Sequence, residues 1–319
     1  MNVPLLATDD GELVDREAFR RDVLAGLSQA ARAIPAKYLY DARGSALFDA
    51  ICEQEEYYPT RTEAAILRQH APEIARLAGP GAALVEYGSG SSVKTRLLLE
   101  AMSDLQAYIP IDISRQHLES TARRLREEYP GLRVEPVTGD YMALDELPEP
   151  IGNARRIGFF PGSTIGNLVP EEAVLFLKRA RRLLRAHGAL VLGVDLKKDP
   201  RKLHDAYNDR AGVTARFTLN LLRRMNRELE ANFDLSAFAH DASYNESSGR
   251  IEIYVRSLRD QVVVVSGRRF QFTEGERIHT EYSYKYDYED IAELARRGGF
   301  SIAALWTDPE RLFAVAFLT

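Results

Sequence analysis

The stretch VEYGSGSSVKT, residues 85–95, places an acidic residue, two glycines and a lysine directly after an apolar run. A phosphate-binding P-loop follows G-x-x-x-x-G-K-[ST], and Val93 stands where its second glycine is required. The same valine stands at the third glycine of the dinucleotide fingerprint G-x-G-x-x-G. What remains is Glu86 before Gly88 and Gly90, a tight turn of open backbone beside a carboxylate. This charge pattern disfavours a phosphate and favours a cationic ligand.

Two further acids stand where predicted strands end. Asp112 lies at the end of the predicted strand 107–114 and Asp140 at the end of 132–140, where open α/β sheets bind ligands. There Asp112 can accept the hydroxyls of a ribose and Asp140 an adenine amino group, with Tyr141 against the ring face. The alternative interpretation makes both aspartates helix caps or turn residues.

Together, the acid beside the glycine turn and the two later acids resemble the first motifs of class I S-adenosylmethionine-dependent methyltransferases. The resemblance implies S-adenosylmethionine as the cofactor, whose sulfonium is the cation that the turn favours. Lys94 has two interpretations beside such a cofactor. It forms an ion pair with the methionine carboxylate, or it opens the next helix as a solvated residue.

Composition bounds the function further. The 319 residues carry a net charge of -5, which gives no basic surface for nucleic acid. The single cysteine, Cys52, excludes an internal disulfide and a cysteine-built metal site, and the six histidines are not spaced as metal ligands. With no signal peptide and no apolar run long enough to span a bilayer, we expect a cytoplasmic monomer that acts on a small molecule without metal or membrane.

The elements that must position these residues alternate between strands and helices. Between the predicted strands lie helical patterns, which indicates a parallel sheet with right-handed crossovers. The predicted strands of this sheet are 82–87, 107–114, 132–140, a strand beginning at 156, and 189–196. The alternation stops at residue 199, where a helical segment and then five antiparallel strands over 236–286 are predicted. It resumes after residue 287 with one helix and two closing strands.

This pattern predicts an α/β fold, a doubly wound, Rossmann-like sheet of the class I methyltransferase type with a second α+β domain. The first domain comprises residues 61–198 and 287–319, and we expect it to bind the cofactor. The second comprises the N-terminal residues 1–60 and the insertion 199–286, and we expect it to bind the substrate. Residues 15–33 carry a helical pattern, whereas 34–61 are polar and aromatic without a predicted element.

The segment FFPGSTIGN, residues 159–167, follows the fourth strand, where substrate and cofactor are expected to meet. It replaces the Asn/Asp-Pro-Pro-Tyr/Phe run of many nucleic-acid amino-methyltransferases. Asn167 supplies both a hydrogen-bond donor and an acceptor there. A turn residue before the next helix is the alternative interpretation of Asn167.

Several segments of the chain together resemble the histidine Nα-methyltransferase of ergothioneine biosynthesis, a family that trimethylates the α-amino group of histidine to give hercynine. The resemblance covers nearly the whole chain, including the insertion. The segments that carry it are YDARGSALFD (40–49), EYYPTRTEAAIL (56–67), EYGSGSSVKT (86–95), FFPGSTIGN (159–167), AYND (206–209) and TEYSYKY (280–286).

The resemblance implies a role for each matching residue. The residues implied to hold the cofactor are Gly88, Ser89, Gly90, Lys94, Asp112, Asp140 and Tyr141. Those implied to hold the substrate are Tyr57, Gly162, Asn167 and Tyr207 at its amino-acid end, and Glu281 and Ser283 at its imidazole. Tyr40 and Asn167 are the implied catalytic residues, with Tyr40 close to the reacting amine.

The pair Glu281 and Ser283 makes chemical sense independently of the family. The two residues are two apart on a predicted strand and therefore share a face. A carboxylate and a hydroxyl can bond the two ring nitrogens of an imidazole, one of which donates while the other accepts. Alternation alone favours two polar residues on a solvated strand face, whereas the motif match favours the imidazole site.

One residue departs from the family pattern. Ile253 stands where the family has a methionine near the imidazole, and this difference leaves another amine, such as a tryptophan derivative, as an alternative substrate. A non-catalytic protein that binds S-adenosylmethionine or histidine is the other alternative. For an enzyme we expect in-line displacement by a neutral amine, driven mainly by placement of the reactants, with tyrosine faces tolerating the growing quaternary ammonium.

Overall fold

The computed structural model describes residues 16–89, 93–113, 115–144, 146–147 and 152–319. The chain divides into two compact units. Unit 1 comprises Met1–Tyr58 and Asp199–Tyr282, and unit 2 comprises Pro59–Lys198 and Ser283–Thr319.

The described helices and strands follow in chain order. The α-helices are α1 Arg16–Leu27, α2 Ala42–Cys52, α3 Tyr58–Ala78, α4 Val93–Ala101, α5 Arg115–Glu128, α6 Pro170–Leu184, α7 Pro200–Tyr207, α8 Val213–Glu228 and α9 Tyr288–Gly298. The strands are β1 Ala83–Tyr87, β2 Ala107–Asp112, β3 Arg133–Val134, β4 Val137–Thr138, β5 Arg156–Phe160, β6 Ala189–Asp195, β7 Phe238–Asn245, β8 Arg250–Ser257, β9 Gln261–Val265, β10 Arg268–Phe272, β11 Arg277–Tyr284, β12 Ile302–Thr307 and β13 Phe313–Leu318.

A single twisted sheet forms the centre of unit 2. Its order among the described residues is β12-β13-β6-β5-β1-β2-β3, with β4 also paired to β2. The strands β6, β5, β1 and β2 run parallel, whereas β13 is antiparallel to both β6 and β12. This is the doubly wound order with an antiparallel closing pair, and the predicted fold class is confirmed.

Several strands of this sheet are completely buried. Every residue of the parallel strands β1, β5 and β6 is buried, as is typical of a parallel sheet covered on both faces, and every residue of the antiparallel β13 is buried as well. The apolar runs that predicted these strands are the consequence of that burial. The chain leaves β1 toward β2 on one side and returns through β5 to β6 on the other. A ligand in such a sheet binds outside the carboxyl ends at this switch point.

The predicted strand 132–140 is wrong in its extent. The structure has two short strands there, β3 and β4, and regular pairing ends at Thr138. Pro136 lies between them and has no N–H to donate to a sheet ladder, which explains the interruption. Asp140 therefore lies in a turn beyond β4 rather than at the end of a continuous strand.

Unit 1 contains a three-stranded sheet in the order β11-β8-β7 and the hairpin β9-β10. The residues of β8 alternate between half-buried and buried, which is the period of a strand with one face on a core. The helix α2 was not predicted. Asp41 caps its first turn, since Oδ1 of Asp41 accepts a hydrogen bond from the backbone N–H of Gly44 at 2.7 Å.

Among the residues that the structure describes, no helix combines the length and the apolar character that a bilayer crossing requires.

Candidate active site

The acid before the glycine turn lies inside unit 2. Glu86, near the carboxyl end of β1, accepts hydrogen bonds from the hydroxyls of Tyr108 on β2 and Thr95 on α4, the latter at 2.8 and 2.9 Å. Burial raises the pKa of Glu86 to about 8, and the two hydroxyl donors oppose that rise. Glu86 is 2% exposed, and its bonds tie β1, β2 and α4 together inside the unit.

The turn itself begins at Gly88, whose φ of +76° favours glycine. A Cβ built there would meet nothing within 4 Å, and the N–H donates to the carbonyl of Ile111 at 2.9 Å. Ser89 is buried, and Gly90 lies outside the described residues. Open backbone at Gly88 is what a ligand lying against the turn requires.

Lys94 forms a buried ion pair. Its Nζ lies 2.5 Å from Oε2 of Glu63 on α3, and the same oxygen accepts the backbone N–H of Gly162 at 2.8 Å. The side chain of Glu63 is fully buried and that of Lys94 is 16% exposed. Lys94 is therefore not the solvated residue of one sequence interpretation. A Cβ at Gly193 on β6 would lie 2.0 Å from Oε1 of Glu63, so glycine there makes room for the carboxylate.

The two strand-end aspartates differ in their surroundings. Asp112 is the last residue of β2, as predicted. Asp140 is exposed in its turn, and its Oδ1 accepts the backbone N–H of Met142 at 2.8 Å. Tyr141 packs its ring 5.5 Å from that of Phe160 and 5.6 Å from that of Phe176, both centroid to centroid. These contacts hold Tyr141 at the carboxyl edge of the sheet.

The segment after β5 turns sharply. Gly162 and Ser163 are both left-handed, with φ of +76° and +57°. Oγ of Ser163 accepts the backbone N–H of Asp195 at 2.9 Å, and a 3-10 turn, Thr164–Asn167, follows. A Cβ at Gly166 would lie 2.7 Å from the carbonyl oxygen of Tyr284. The turn that carries Asn167 therefore packs closely against the backbone of Tyr284, the residue after Ser283.

A buried charged cluster lies beside this turn, and the sequence analysis did not single it out. Asp195 ends β6, and its Oδ1 lies 2.5 Å from Nζ of Lys198 while its Oδ2 lies 2.8 Å from Nζ of Lys285. Nζ of Lys285 also donates to Oγ of Ser283 at 2.7 Å. The carboxylate and Lys285 are almost completely buried. We call Asp195, Lys198, Lys285 and Ser283 the β6 cluster.

Electrostatics in the β6 cluster follow from burial. Burial by itself raises the pKa of Asp195, but the two adjacent ammonium groups of Lys285 and Lys198 hold it below its ordinary value. Burial lowers the pKa of Lys198 to about 8, and the carboxylate of Asp195 opposes that change. One carboxylate between two lysines carries a net positive charge when both lysines are protonated.

In unit 1, predicted substrate residues come together in an aromatic cluster. The hydroxyl of Tyr40 lies 3.4 Å from Oε1 of Glu281, and the ring of Tyr57 lies 6.1 Å from that of Tyr207. Phe48 joins the two pairs, with centroid distances of 5.7 Å to Tyr40 and 6.3 Å to Tyr57. We call the rings together with Glu281 the aromatic cluster, with members Tyr40, Phe48, Tyr57, Tyr207, Phe217 and Glu281.

Phe48 and Phe217 are members that the sequence analysis missed. Phe217 lies on α8, and its ring is 5.3 Å from Tyr40 and 6.1 Å from Phe48. Glu281 is 8% exposed amid these rings. A nearly buried carboxylate next to ring faces suits a ligand that supplies N–H groups or positive charge.

Tyr207 is held by its neighbours. Nε2 of His240 lies 2.9 Å from the carbonyl oxygen of Tyr207, and Nδ1 lies 3.0 Å from Oγ1 of Thr218. Burial lowers the pKa of His240, although its bond to Tyr207 opposes this. Asp209 accepts the backbone N–H groups of Val213 and Thr214, both at 2.7 Å, and so fixes the loop that follows Tyr207.

No grouping of three or more His, Cys, Asp and Glu side chains suited to a metal ion occurs within the described ranges.

Comparison with known proteins is informative over nearly the full length. Residues 19–319 match the family model described as "Histidine-specific methyltransferase, SAM-dependent". The histidine N-alpha-methyltransferase of Mycolicibacterium smegmatis is 44% identical over 306 residues, covering 94% of each chain. Its counterpart from Mycobacterium tuberculosis is 42% identical, covering 93% of this chain and 94% of the relative. Ergothioneine biosynthesis protein 1 of Neurospora crassa is 33% identical over 86% of this chain and 32% of its own.

Proposed function

This chain belongs to the family of histidine-specific, S-adenosylmethionine-dependent methyltransferases, and from that premise we propose that it trimethylates the α-amino group of L-histidine to hercynine, a step of ergothioneine biosynthesis. The aromatic cluster around Glu281 is the observation that carries the proposal. It combines one nearly buried carboxylate with several ring faces, which suits both an imidazole N–H and an ammonium that becomes quaternary.

Residues of unit 2 fit the cofactor. Gly88 offers open, left-handed backbone against which the ligand can lie, and Asp112 stands at the end of β2, where it can accept from ribose hydroxyls. Asp140 is exposed beyond β4, with Tyr141 beside it. The side chain of Lys94 is 16% exposed, and its ammonium can meet a carboxylate while Glu63 fixes its position. Ser89 and Gly90 complete the proposed turn.

Bound S-adenosylmethionine supplies a methyl group that is already activated as part of a sulfonium. The chain's own residues must then bind the amine, aim its lone pair and exclude water. Placement of this kind accounts for a large part of the acceleration in reactions between two bound partners. No strong general base is required, because the amine attacks in its neutral form.

The proposed substrate contacts divide by chemistry. Glu281 accepts the imidazole N–H and Ser283 bonds the other ring nitrogen. Tyr57, Tyr207 and the backbone of Gly162 hold the amino-acid end. Asn167 and the hydroxyl of Tyr40 orient the nitrogen that receives the methyl groups.

Successive methylation makes the amine bulkier and finally permanently charged. The ring faces of the aromatic cluster attract that charge without a hydrogen bond, since a quaternary ammonium has no N–H to donate. A site built only of carboxylates and carbonyls would lose donor contacts with each methyl group added. Rings therefore support a reaction that continues to the trimethylated product.

The decisive experiment incubates the protein with labelled S-adenosylmethionine and a panel of free amino acids, including mono- and dimethylhistidine and tryptophan. We expect transfer to histidine and to its partly methylated forms, with mass spectrometry showing the trimethylated product. Glu281→Ala should abolish most of the activity on histidine, and Glu281→Gln tests whether the charge or the shape matters. Transfer to an indole amine in preference to histidine would favour the alternative substrate, and binding without turnover would favour the non-catalytic alternative.

The setting of the enzyme stays a prediction from composition. A single cysteine suits a reducing cytoplasm, and a net charge of -5 argues against nucleic acid as a partner. We propose a cytoplasmic monomer. Sedimentation velocity on the purified protein tests the monomer, and fractionation of the cells tests the location.

A further inference from the structure

The β6 cluster contains a hydrogen bond whose direction is chemically fixed. Nζ of Lys285 lies 2.7 Å from Oγ of Ser283. An ammonium group has three donors and no acceptor, so Lys285 donates and Ser283 accepts. A serine hydroxyl has one proton to give and two lone pairs to receive with, and Lys285 uses one lone pair. The bond therefore polarises the hydroxyl and biases Ser283 toward donating its own proton.

Lys285 is held in that position by burial and by an ion pair with Asp195. Its side chain is fully buried, and Nζ is 2.8 Å from Oδ2 of Asp195. Asp195 is fixed in turn, because its N–H is bonded to Oγ of Ser163 and its other carboxylate oxygen is paired with Lys198. The carboxylate of Asp195 is the partner that a buried ammonium group requires.

We propose that Lys285 is a positioning residue that makes Ser283 a hydrogen-bond donor, so that the site takes the neutral imidazole with its unprotonated nitrogen at Ser283 and its N–H at Glu281. This inference rests on the proposed function, because Ser283 has an imidazole to address only in a histidine enzyme. It assigns a role to a residue that touches neither reacting atom. It also decides which of the two nitrogens of the ring is the acceptor.

The assignment explains a feature that packing alone does not require. A serine between an apolar core and a strand end is satisfied by a backbone carbonyl, at no cost in buried charge. Here a buried ion pair, Asp195 with Lys285, lies beside Ser283 and donates to its hydroxyl through Lys285. A carboxylate at Glu281 and a donor at Ser283 are complementary to one tautomer of imidazole. A ring with an acceptor missing would leave the donor unpaired, which is how polar sites reject close analogues.

A double-mutant cycle on the full-length enzyme tests the inference. We expect Ser283→Ala and Lys285→Met each to raise KM for histidine about tenfold, the effect of losing one hydrogen bond in a polar site. If Lys285 acts through Ser283, the double variant should raise KM no further than Ser283→Ala alone. KM for S-adenosylmethionine, measured in the same assays, should change less than twofold.

Lys198→Met is the matched control. Lys198 pairs with the other oxygen of the same carboxylate, so its loss perturbs Asp195 as Lys285→Met does. We expect Lys198→Met to lower thermal stability. When the Ser283 and Lys285 cycle is repeated in the Lys198→Met background, KM for histidine in the double variant should still rise no further than in Ser283→Ala. The proposal would be overturned if the rise in KM of the double variant equalled the product of the two single rises. It would also be overturned if Lys285→Met left KM for histidine unchanged.

A second measurement needs no variant and therefore survives a failure of Lys285→Met to fold. Pyrrolylalanines keep one ring N–H but have carbon in place of the acceptor nitrogen. The wild-type enzyme should prefer histidine to these analogues by at least tenfold in kcat/KM. Equal turnover of histidine and a pyrrolylalanine would refute the donor role of Ser283 while leaving histidine methylation established. Absence of any turnover of histidine would instead refute the proposed function itself.

Discussion

The hydroxyl of Tyr40 lies 3.4 Å from Oε1 of Glu281, although 241 positions of the chain separate the two residues. The bond is long, and it joins a residue that follows a short 3-10 turn to a nearly buried carboxylate on β11. Two groups with separately proposed roles, one near the reacting amine and one at the imidazole, are thus in contact in the folded unit.

Tyr40→Phe should lower kcat for histidine about fivefold while KM changes less, because the lost hydroxyl is the group proposed to orient the amine and one hydrogen bond is worth about 1 kcal/mol. Steady-state kinetics measures both constants. Tyr38→Phe is the matched control in the same segment, since the Tyr38 hydroxyl bonds Asp22 at 2.7 Å. That control should lose stability without a matching loss of kcat, and equal losses of kcat would contradict the role of Tyr40.

Phe217→Leu should weaken binding of trimethylated histidine about fivefold. Leucine keeps the apolar volume on α8 but removes the ring face, and a cation–π contact in partly desolvated surroundings is worth about 1 kcal/mol. Product inhibition measures the effect. Phe217→Tyr retains a ring and serves as the control. A product that binds Phe217→Leu as tightly as wild type would show that the ring does not contact the quaternary ammonium.

Lys94→Met should lower the free energy of unfolding by about 3 kcal/mol, because the buried carboxylate of Glu63 loses its cation. It should also weaken cofactor binding, which isothermal titration calorimetry measures. Lys197→Met is the control, since Lys197 pairs with Asp287 and Asp290 on an exposed surface and should cost no more than about 1 kcal/mol. Similar urea midpoints for the two variants would argue against the Glu63 pair.

Gly193→Ala should lower the unfolding free energy by about 3 kcal/mol, since its Cβ would lie 2.0 Å from Oε1 of Glu63 and displace a buried carboxylate. Differential scanning calorimetry measures the loss. Gly131→Ala is the control: a Cβ at Gly131 meets nothing within 4 Å, so this variant should have the melting temperature of the wild type. Adding Glu63→Ala to Gly193→Ala should cost less than the sum of the two changes, and strict additivity would exclude the steric explanation.

Glu86 predicts a pH dependence of stability. Its pKa is raised to about 8 from an ordinary value of 4.5, so between these pH values the folded chain holds a proton that the unfolded chain has released. The contribution of Glu86 to stability is complete below pH 4.5 and falls as pH rises toward 8, by up to about 1.4 kcal/mol per pH unit. Glu86→Gln should remove this slope. Chemical denaturation of both proteins from pH 5 to 8 measures it, and parallel slopes would contradict the prediction.

Sequence patterns predicted the sheet of unit 2 well because its strands are buried on both faces and therefore read as apolar runs. The patterns did not predict the structure correctly at two places, the third strand and the helix α2. Pro136 divides the third predicted strand, because it lacks the N–H that a continuous ladder over 132–140 requires. The helix α2 was missed because its cap, Asp41, stands in an aromatic, polar stretch with Gly44 in the first turn.

The candidate site was predictable only where a motif marked it. Asp112 is at the end of its strand as the apolar pattern indicated. The β6 cluster was not predictable, because Asp195 and Lys285 are 90 positions apart (285 − 195) and each alone reads as an ordinary polar residue. Phe217 likewise reads as one apolar position of an amphipathic helix, and its contact with Tyr40 comes from tertiary packing. Glu86, read as a ligand-facing acid, is instead bonded inside the unit.

The glycine beneath Glu63 has an evolutionary consequence. A side chain at position 193 is compatible only with a residue smaller than glutamate at position 63. Replacing Glu63 removes the counter-ion of Lys94 and the hydrogen-bond acceptor of the Gly162 N–H. Positions 63, 94 and 193 should therefore covary among homologous chains. A lineage that loses the glycine of β6 would need a different counter-ion to hold Lys94, the residue proposed to meet the carboxylate of S-adenosylmethionine.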